Sequence, residues 1–351
     1  MYAIKREAEE FAVIKLFKPM TPDAKGSFYF WRCQTMRVID IKKKIVDNVS
    51  KVIFGKEEVI EKLISAFMTG GHVLMEDVPG TGKTMLARAV AISLGLDFKR
   101  VQFTPDLLPT DLTGLSIYKK ETGKFEFKEG PIFTDILLVD EVNRATPKTQ
   151  SALLEAMAEG QVTIDGVTRK LSENFFVIAT QNPIEYQGTF PLPEAQLDRF
   201  SFMLRMGYPD HEMEIRMLSS QVDHHPIRDV KCVVTKEEVK FMKDAVKHVT
   251  VDETLKDYIV RIVEQTRGDK DLYLGASPRV SLDLMKGAMA YALLKGRDYV
   301  VPDDVKAISH EVLSHRLIVT SEARVKMIKV SDIIERTFEE VPVPVMKKDE
   351  I

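Results

Sequence analysis

From residue 37 to about 207 the chain alternates short apolar runs with stretches of helical spacing. HVLMEDV, KRVQF, DILLVDE, FFVIATQ and SFMLRM are short and apolar enough to be buried strands. KTMLARAVAISLG carries helical spacing and stops at Gly95, and DIKKKIVDNVSKVIFGKEEVIEKLISAFMTG does so on either side of Phe54-Gly55. Strands alternating with helices predict an α/β fold, a parallel sheet covered on both faces. GYPD, residues 207 to 210, breaks the pattern, and beyond it helices dominate. Thr235 and Glu238 form a capping box, and Ser277-Pro278 supply an N-cap and first-turn proline for a helix ending near Gly296. On that helix Leu282, Met285, Met289 and Ala292 have the spacing of a packed face. Residues 208–325 therefore read as a helical domain, and 326–351 as a tail whose end, VPVPVMKKDEI, is expected to be mobile. Residues 1–36 are an extension of no assigned role. FAVIKLF and SFYFWRC there have strand character, and PMTPDAKG between them is turn-rich. One account makes Met36 the natural start and the first 35 residues upstream sequence.

Composition narrows the class without naming it. A chain of 351 residues, 44% hydrophobic and 29% charged, suits a globular protein of two domains. Fifty basic and 53 acidic residues leave a net charge of -3, too balanced for a nucleic-acid binder held by bulk charge. Two cysteines, Cys33 and Cys232, cannot make a disulfide framework, and nothing near either forms a catalytic dyad. No apolar run approaches the length that spans a bilayer, and the N-terminus lacks the pattern of a secretory signal. The expected location is the cytoplasm.

Candidate chemistry centres on EDVPGTGKT, residues 76 to 84. The phosphate-binding pattern G-x-x-x-x-G-K-[ST] is met by Gly82, Lys83 and Thr84, but Asp77 replaces its first glycine. Such a loop works because successive backbone N–H groups and a helix N-terminus converge on phosphate oxygens. Gly80 and Gly82 supply the backbone freedom, Lys83 would reach the β- and γ-phosphates, and Thr84 would place its hydroxyl on Mg²⁺. The first glycine lies a few residues before the anion nest, so a substitution there is less damaging than one at Gly82 or Lys83. ILLVDE ends a strand on two carboxylates: Asp140 to hold Mg²⁺, Glu141 to polarise a water. FFVIATQNP puts Gln181 or Asn182 at the same sheet edge, where an amide can orient water against a γ-phosphate. Arg199 precedes the last strand, and Arg279 opens a helix of the second domain.

These stretches together resemble the MoxR family of AAA+ ATPases. The resemblance runs from about residue 38 to 325 and rests on GHVLMEDVPGTGKT, QFTPDLLPTDLTG, DEVNRATPKTQSALLEAMAEGQVTIDG, FFVIATQNPIEYQGTFPLPEAQLDRF and GASPRVSL. It implies an AAA+ core over 37–207 and a helical lid over 208–325. Pro79, Gly80, Thr81, Gly82, Lys83, Thr84 and Met85 then fall on the ATP-binding loop, and Asp140 and Glu141 on the Walker B element. Asn182 falls on sensor 1, Arg199 on the arginine finger that acts on a neighbouring subunit's nucleotide, and Arg279 on sensor 2. Ile53, Phe54 and Gly55 fall where adenine packs. The family is variable at the position of Asp77. The resemblance further implies ATP and Mg²⁺ as ligands and a homo-oligomeric ring, usually a hexamer. It implies a chaperone-like role on client proteins, among them proteins with von Willebrand factor A domains.

IYKKETGKFEFKEG (117–130) and QVTIDGVTRKL (161–171) read as hairpins turning at Thr122-Gly123 and Asp165-Gly166. They match in place the helix-2 insert and the pre-sensor-1 hairpin of this AAA+ branch. Two rival readings remain. A nucleic-acid motor is suggested by Lys119, Lys120, Lys124 and Lys128, but no DNA-binding module accompanies them. An ATP-binding scaffold with little turnover is opposed by Asp140, Glu141 and Arg199. HEMEI lacks the second histidine of a zinc-protease motif, His224-His225 read as surface residues, and no N-K-x-D stretch reads guanine.

Overall fold

The computed structural model describes residues 24–183, 188–221 and 224–344, with side chains from residue 34 onward. The chain forms two compact units. One runs from Ile41 to Lys240; the other joins the described residues up to Asp40 with those from Phe241 onward.

Helix α1 (Ala24–Val49) enters the first unit at Ile41, and the chain continues there through α2 (Glu57–Met68), β1 (Val73–Glu76), α3 (Lys83–Leu94), β2 (Phe98–Gln102) and α4 (Pro109–Thr113). The hairpin β3 (Gly114–Lys119) and β4 (Lys124–Glu129) precedes β5 (Ile136–Asp140) and α5 (Pro147–Glu159). A second hairpin, β6 (Gln161–Ile164) and β7 (Val167–Lys170), leads to β8 (Phe176–Gln181), α6 (Glu194–Leu197), β9 (Phe202–Leu204) and α7 (His211–Ser220), and the unit ends at Lys240 within α8 (Lys236–Val246). Strands β2, β5, β8, β1 and β9 lie in that order in one sheet, every neighbouring pair parallel. The five strands are those the apolar runs predict. β5 is buried throughout, and β8 up to its last residue, Gln181, as central strands covered on both faces should be.

One face packs Leu74, Leu137, Val139, Val177 and Ala179 against Leu153, Leu154 and Met157 of α5. Phe67 of α2 meets Phe176 edge-on at 5.4 Å between ring centres. His72, just before β1, is buried; its Nδ1 accepts from Val177 N–H at 3.0 Å, so Nε2 carries the proton toward Met157 O at 3.1 Å. That tautomer ties β1 to both β8 and α5. Both hairpins form where the turn residues place them. Asp165 (φ 52°) and Gly166 (φ 75°) make a two-residue loop between Ile164 and Val167, the positive-φ geometry that matches strand twist.

The second unit contains α9 (Glu253–Gly268), β10 (Leu272–Leu274), α10 (Pro278–Leu294), α11 (Pro302–Leu313), β11 (Ile318–Val319), α12 (Ser321–Val325) and α13 (Val330–Glu340). Arg297 grips Asp304 through two bonds of 2.5 and 2.6 Å, and Arg336 bridges Asp269 and Asp271 at 2.7 and 2.8 Å. The capping box before α8 is present in both directions, Thr235 N to Glu238 at 2.9 Å and Glu238 N to Thr235 Oγ1 at 3.2 Å.

Four expectations are corrected. SFYFWRC lies in helix α1, because a short apolar run does not distinguish strand from helix and the helix that follows extends back through it. FAVIKLF, residues 184–187 and residues 345–351 lie outside the described residues. On α10 the buried residues include Val280, Leu284, Gly287, Ala288 and the expected Ala292, while Met285 and Met289 are half-buried and Leu282 is 53% exposed, so the packed stripe is rotated from the expected one. Residues 330–340 are no loose tail: α13 buries Ile333, Ile334 and Phe338. The break at Gly207 is not the edge of the sheet unit, which extends to Lys240 because α7 packs Met213 and Met217 around a cavity shared with Ile53 and Phe54. Among the described residues no helix is long and apolar enough to cross a membrane.

Candidate active site

The parallel register brings the carboxyl ends of four strands level. Gln102 of β2 pairs with Asp140 of β5, and Met75 of β1 pairs with Thr180 of β8. One residue further along lie Glu141, Gln181 and Glu76, and then Asn182 and Asp77. Ligands of open α/β sheets bind at this edge.

The phosphate loop connects β1 to α3. Gly80 (φ 84°) and Gly82 (φ 90°) adopt left-handed backbone that residues with a Cβ rarely take, which turns the chain straight into the helix at Lys83. Lys83 is half-buried, and its Nζ donates to the carbonyls of Asp77 and Val78, both at 2.8 Å. Burial pulls its pKa below the ordinary lysine value; the nearby carboxylates of Asp77, Asp140 and Glu141 act in the opposite direction.

Asp140 is buried, with Oδ2 accepting from Arg100 Nε at 2.5 Å and Oδ1 from Thr180 Oγ1 at 3.2 Å. Glu141 leaves the strand in left-handed backbone (φ 57°), a conformation costing a non-glycine residue about 1–2 kcal/mol. Its N–H donates to Thr180 Oγ1 at 3.0 Å. Its carboxylate accepts from Gln102 Nε2 at 2.7 Å and from Arg144 Nε at 3.2 Å. Such an outlier at a carboxylate on this sheet edge makes Glu141 a candidate functional residue. Asn182, at the tip beyond β8, is buried.

Together these residues line a cleft of about 370 Å³ that includes Gly80 to Met85, Asp140, Glu141 and Asn182. A second, apolar cavity of about 290 Å³ adjoins it across the same loop, sharing Pro79, Gly80, Thr81, Gly82 and Met85. Ile53 and Phe54 line this second cavity; Gly55 makes the turn beside them and does not. Arg199 lines neither cavity and donates to the Leu154 carbonyl at 3.4 Å. Arg279 is exposed in the first turn of α10, in the other unit.

Comparison with known proteins identifies the family. The family model for the ATPase family associated with various cellular activities (AAA) matches residues 72–202, and that for the AAA lid domain matches 264–337. Chaperone MoxR1 of Mycobacterium tuberculosis is 39% identical, over 86% of this chain and 82% of its own. The chain belongs to the MoxR family of AAA+ ATPases. YeaC of Bacillus subtilis, an uncharacterized protein, is 52% identical over 87% of this chain and 95% of its own. The crystal structure of a provisionally assigned ATPase from Cytophaga hutchinsonii superposes with a TM-score of 0.83 at 40% identity, covering 89% of this chain and 97% of that one.

For this family member, sequence reasoning named most of the residues that line the first cleft and missed most of the apolar cavity. Met206, Gly207, Tyr208, Met213 and Met217 line it, and they lie beyond the 72–202 match. HEMEI, set aside as a failed metal motif, forms the first turn and a half of α7 and contributes Met213 to that wall. His225, read as a surface residue, is exposed but lines the cavity rim, its Nδ1 accepting from Ile227 N–H at 3.3 Å. Met213 and Met217 stand four residues apart, a helical pair that the sequence carries. Arg100 and Gln102, which hold Asp140 and Glu141, were also unforeseen; two apart on an edge strand, they share one face.

Proposed function

We propose that the chain hydrolyses ATP and uses the cycle to remodel or activate client proteins. The observation that carries this is the convergence of Lys83, Asp140, Glu141 and Asn182 on one cleft that adjoins an apolar cavity of base size. The apolar cavity takes adenine against Ile53, Phe54 and Met206, and the loop amides with Lys83 take the phosphates. Glu141 is the base that polarises the attacking water, with Asn182 orienting it. Its contacts to Gln102 and Arg144 fix where that carboxylate points.

The cleft's donors fit magnesium: the Thr84 hydroxyl and the Asp140 carboxylate are hard oxygens of the kind it takes beside phosphate oxygens. Bound there, the ion neutralises phosphate charge.

Arg199 acts on the nucleotide of an adjacent copy. In its own protomer it lines neither cavity, so a homo-oligomeric ring, hexameric in this reading, completes each cleft. Arg279 carries the sensor 2 role that the family pattern assigns to its position. The setting is the cytoplasm, and proteins with von Willebrand factor A domains are the expected clients. Against a nucleic-acid motor, Lys119 of the first hairpin is ion-paired with Glu126 across the strands.

The test is ATP turnover by purified protein with magnesium, with and without DNA, and recovery of bound proteins with Glu141→Gln. Turnover indifferent to DNA, with von Willebrand factor A proteins retained by the variant, supports the reading. No turnover in any assembled form, or a rate that depends on DNA, overturns it.

A further inference from the structure

We propose that Asp77 is a positioning residue for the nucleotide base: its carboxylate fastens the chain leaving β9 to the mouth of the phosphate loop and so holds one wall of the base cavity in place. The inference rests on the ATP-binding reading above and gives a role to the residue that departs from the phosphate-loop pattern.

Three backbone amides converge on this one side chain. Oδ2 accepts from Met206 N–H at 2.6 Å and Gly207 N–H at 2.8 Å, and Oδ1 from Val78 N–H at 3.2 Å. Hydrogen bonds to an ionised acceptor are the strong ones. The main chain of Asp77 is held as well, its N–H by Gln181 O at 3.4 Å and its carbonyl by Lys83 Nζ at 2.8 Å. Asp77 is not among the positive-φ residues, so this position places no demand that only glycine meets.

What the carboxylate clasps is the base cavity rather than the phosphate cleft. Met206 and Gly207 line the apolar cavity, followed by Tyr208 and Pro209, and none of the four lines the phosphate cleft. Met206 is buried, and a Cβ placed on Gly82 would meet Ile53 Cδ1 at 3.6 Å and Met206 Cε at 3.9 Å. The base wall therefore abuts the loop at the residue that starts the phosphate-binding helix. Arg205 and Glu76 make a parallel tie at 2.5 Å, but Arg205 is exposed and the pair is correspondingly weak. Without the Asp77 acceptor, the partly buried amide of Met206 loses its partner and the wall is free to shift.

The sign is opposite to what motif matching suggests. Asp77→Gly restores the usual first glycine yet removes the clasp. It also removes a negative charge near Lys83, which on its own favours phosphate. The variant is therefore expected to lose affinity for the base-bearing ligands alone.

Calorimetry with magnesium on the full chain would compare ATP, ADP and inorganic tripolyphosphate. Asp77→Gly should weaken ATP and ADP about 10- to 100-fold, with tripolyphosphate unchanged or tighter. Asp77→Asn keeps an oxygen for the Met206 and Gly207 amides and should recover most of that loss. If Asp77→Gly does not fold, as judged by circular dichroism, Asp77→Ser should give the same ordering with a smaller loss. Wild-type ATP affinity in Asp77→Gly or Asp77→Ser, or equal loss of ATP and tripolyphosphate, would overturn the proposal. Wild-type protein that binds neither ligand overturns the ATP-binding reading itself, a distinguishable result.

Discussion

The two cavities on either side of the phosphate loop are built by different means. The phosphate cleft draws Asp140, Glu141 and Asn182 from the ends of adjacent strands and Lys83 from the helix start that follows the loop after β1. Backbone direction does much of its work: two left-handed glycines, a helix start, and a glutamate bent out of its strand. The base cavity has no such frame. Its walls are side chains from the turn after α1, the exit of β9 and helix α7, a helix with no fully buried residue. Charge is met by fixed dipoles, which must sit at set points; a flat apolar base needs only surface of suitable shape, which methionines supply by adapting. Damage to the first should therefore fall on chemistry, and damage to the second on affinity.

The largest effect is expected from a residue in neither cavity. Arg199→Ala should lower turnover by about 10³ to 10⁵ while ATP affinity is kept, as its proposed role as a finger for the neighbouring copy requires. Steady-state rates on the assembled protein, beside calorimetry, check this; a rate near wild type removes Arg199 from the reaction. Next comes Glu141→Gln, expected to cost about 10² to 10⁴ in turnover with ATP binding intact. A parallel fall in affinity would break the division between the cavities. In the base cavity, Phe54→Ala combined with Met213→Ala should raise the dissociation constant for ATP about tenfold through lost apolar contact. Tripolyphosphate binding should not change, and saturating ATP should restore the rate. The smallest effect concerns pH. Phosphate binding needs the Lys83 ammonium, whose pKa burial lowers, so tripolyphosphate affinity should fall with rising pH before the ordinary lysine range is reached. Glu141 acts to raise that pKa, so Glu141→Gln should move the midpoint to lower pH, whereas the Phe54 and Met213 substitutions should leave it in place.

The same contrast explains which parts could be read in advance. The strands stood out because central parallel strands are short unbroken apolar runs, and the hairpin at Asp165-Gly166 because its turn needs positive φ at both residues. SFYFWRC was misread since aromatic residues suit either a strand or a helix. The face of α10 was displaced because apolar residues surround much of that helix, and neighbours decide which of Leu282 and Leu284 turns inward. The methionines of α7 gave a helical pair with no hint of the cavity they face.

What the sequence determined alone are the features whose parts are contiguous: loop, strand tips, turns and caps, each set by backbone preferences of a few neighbouring residues. Tertiary structure decided what depends on residues far apart in the chain. Asp77 meets Met206 and Gly207 across 129 and 130 positions, and Ile53 faces Met213 only once the sheet has formed. A carboxylate's partners are fixed by which amides folding brings within reach, and no local preference encodes that choice.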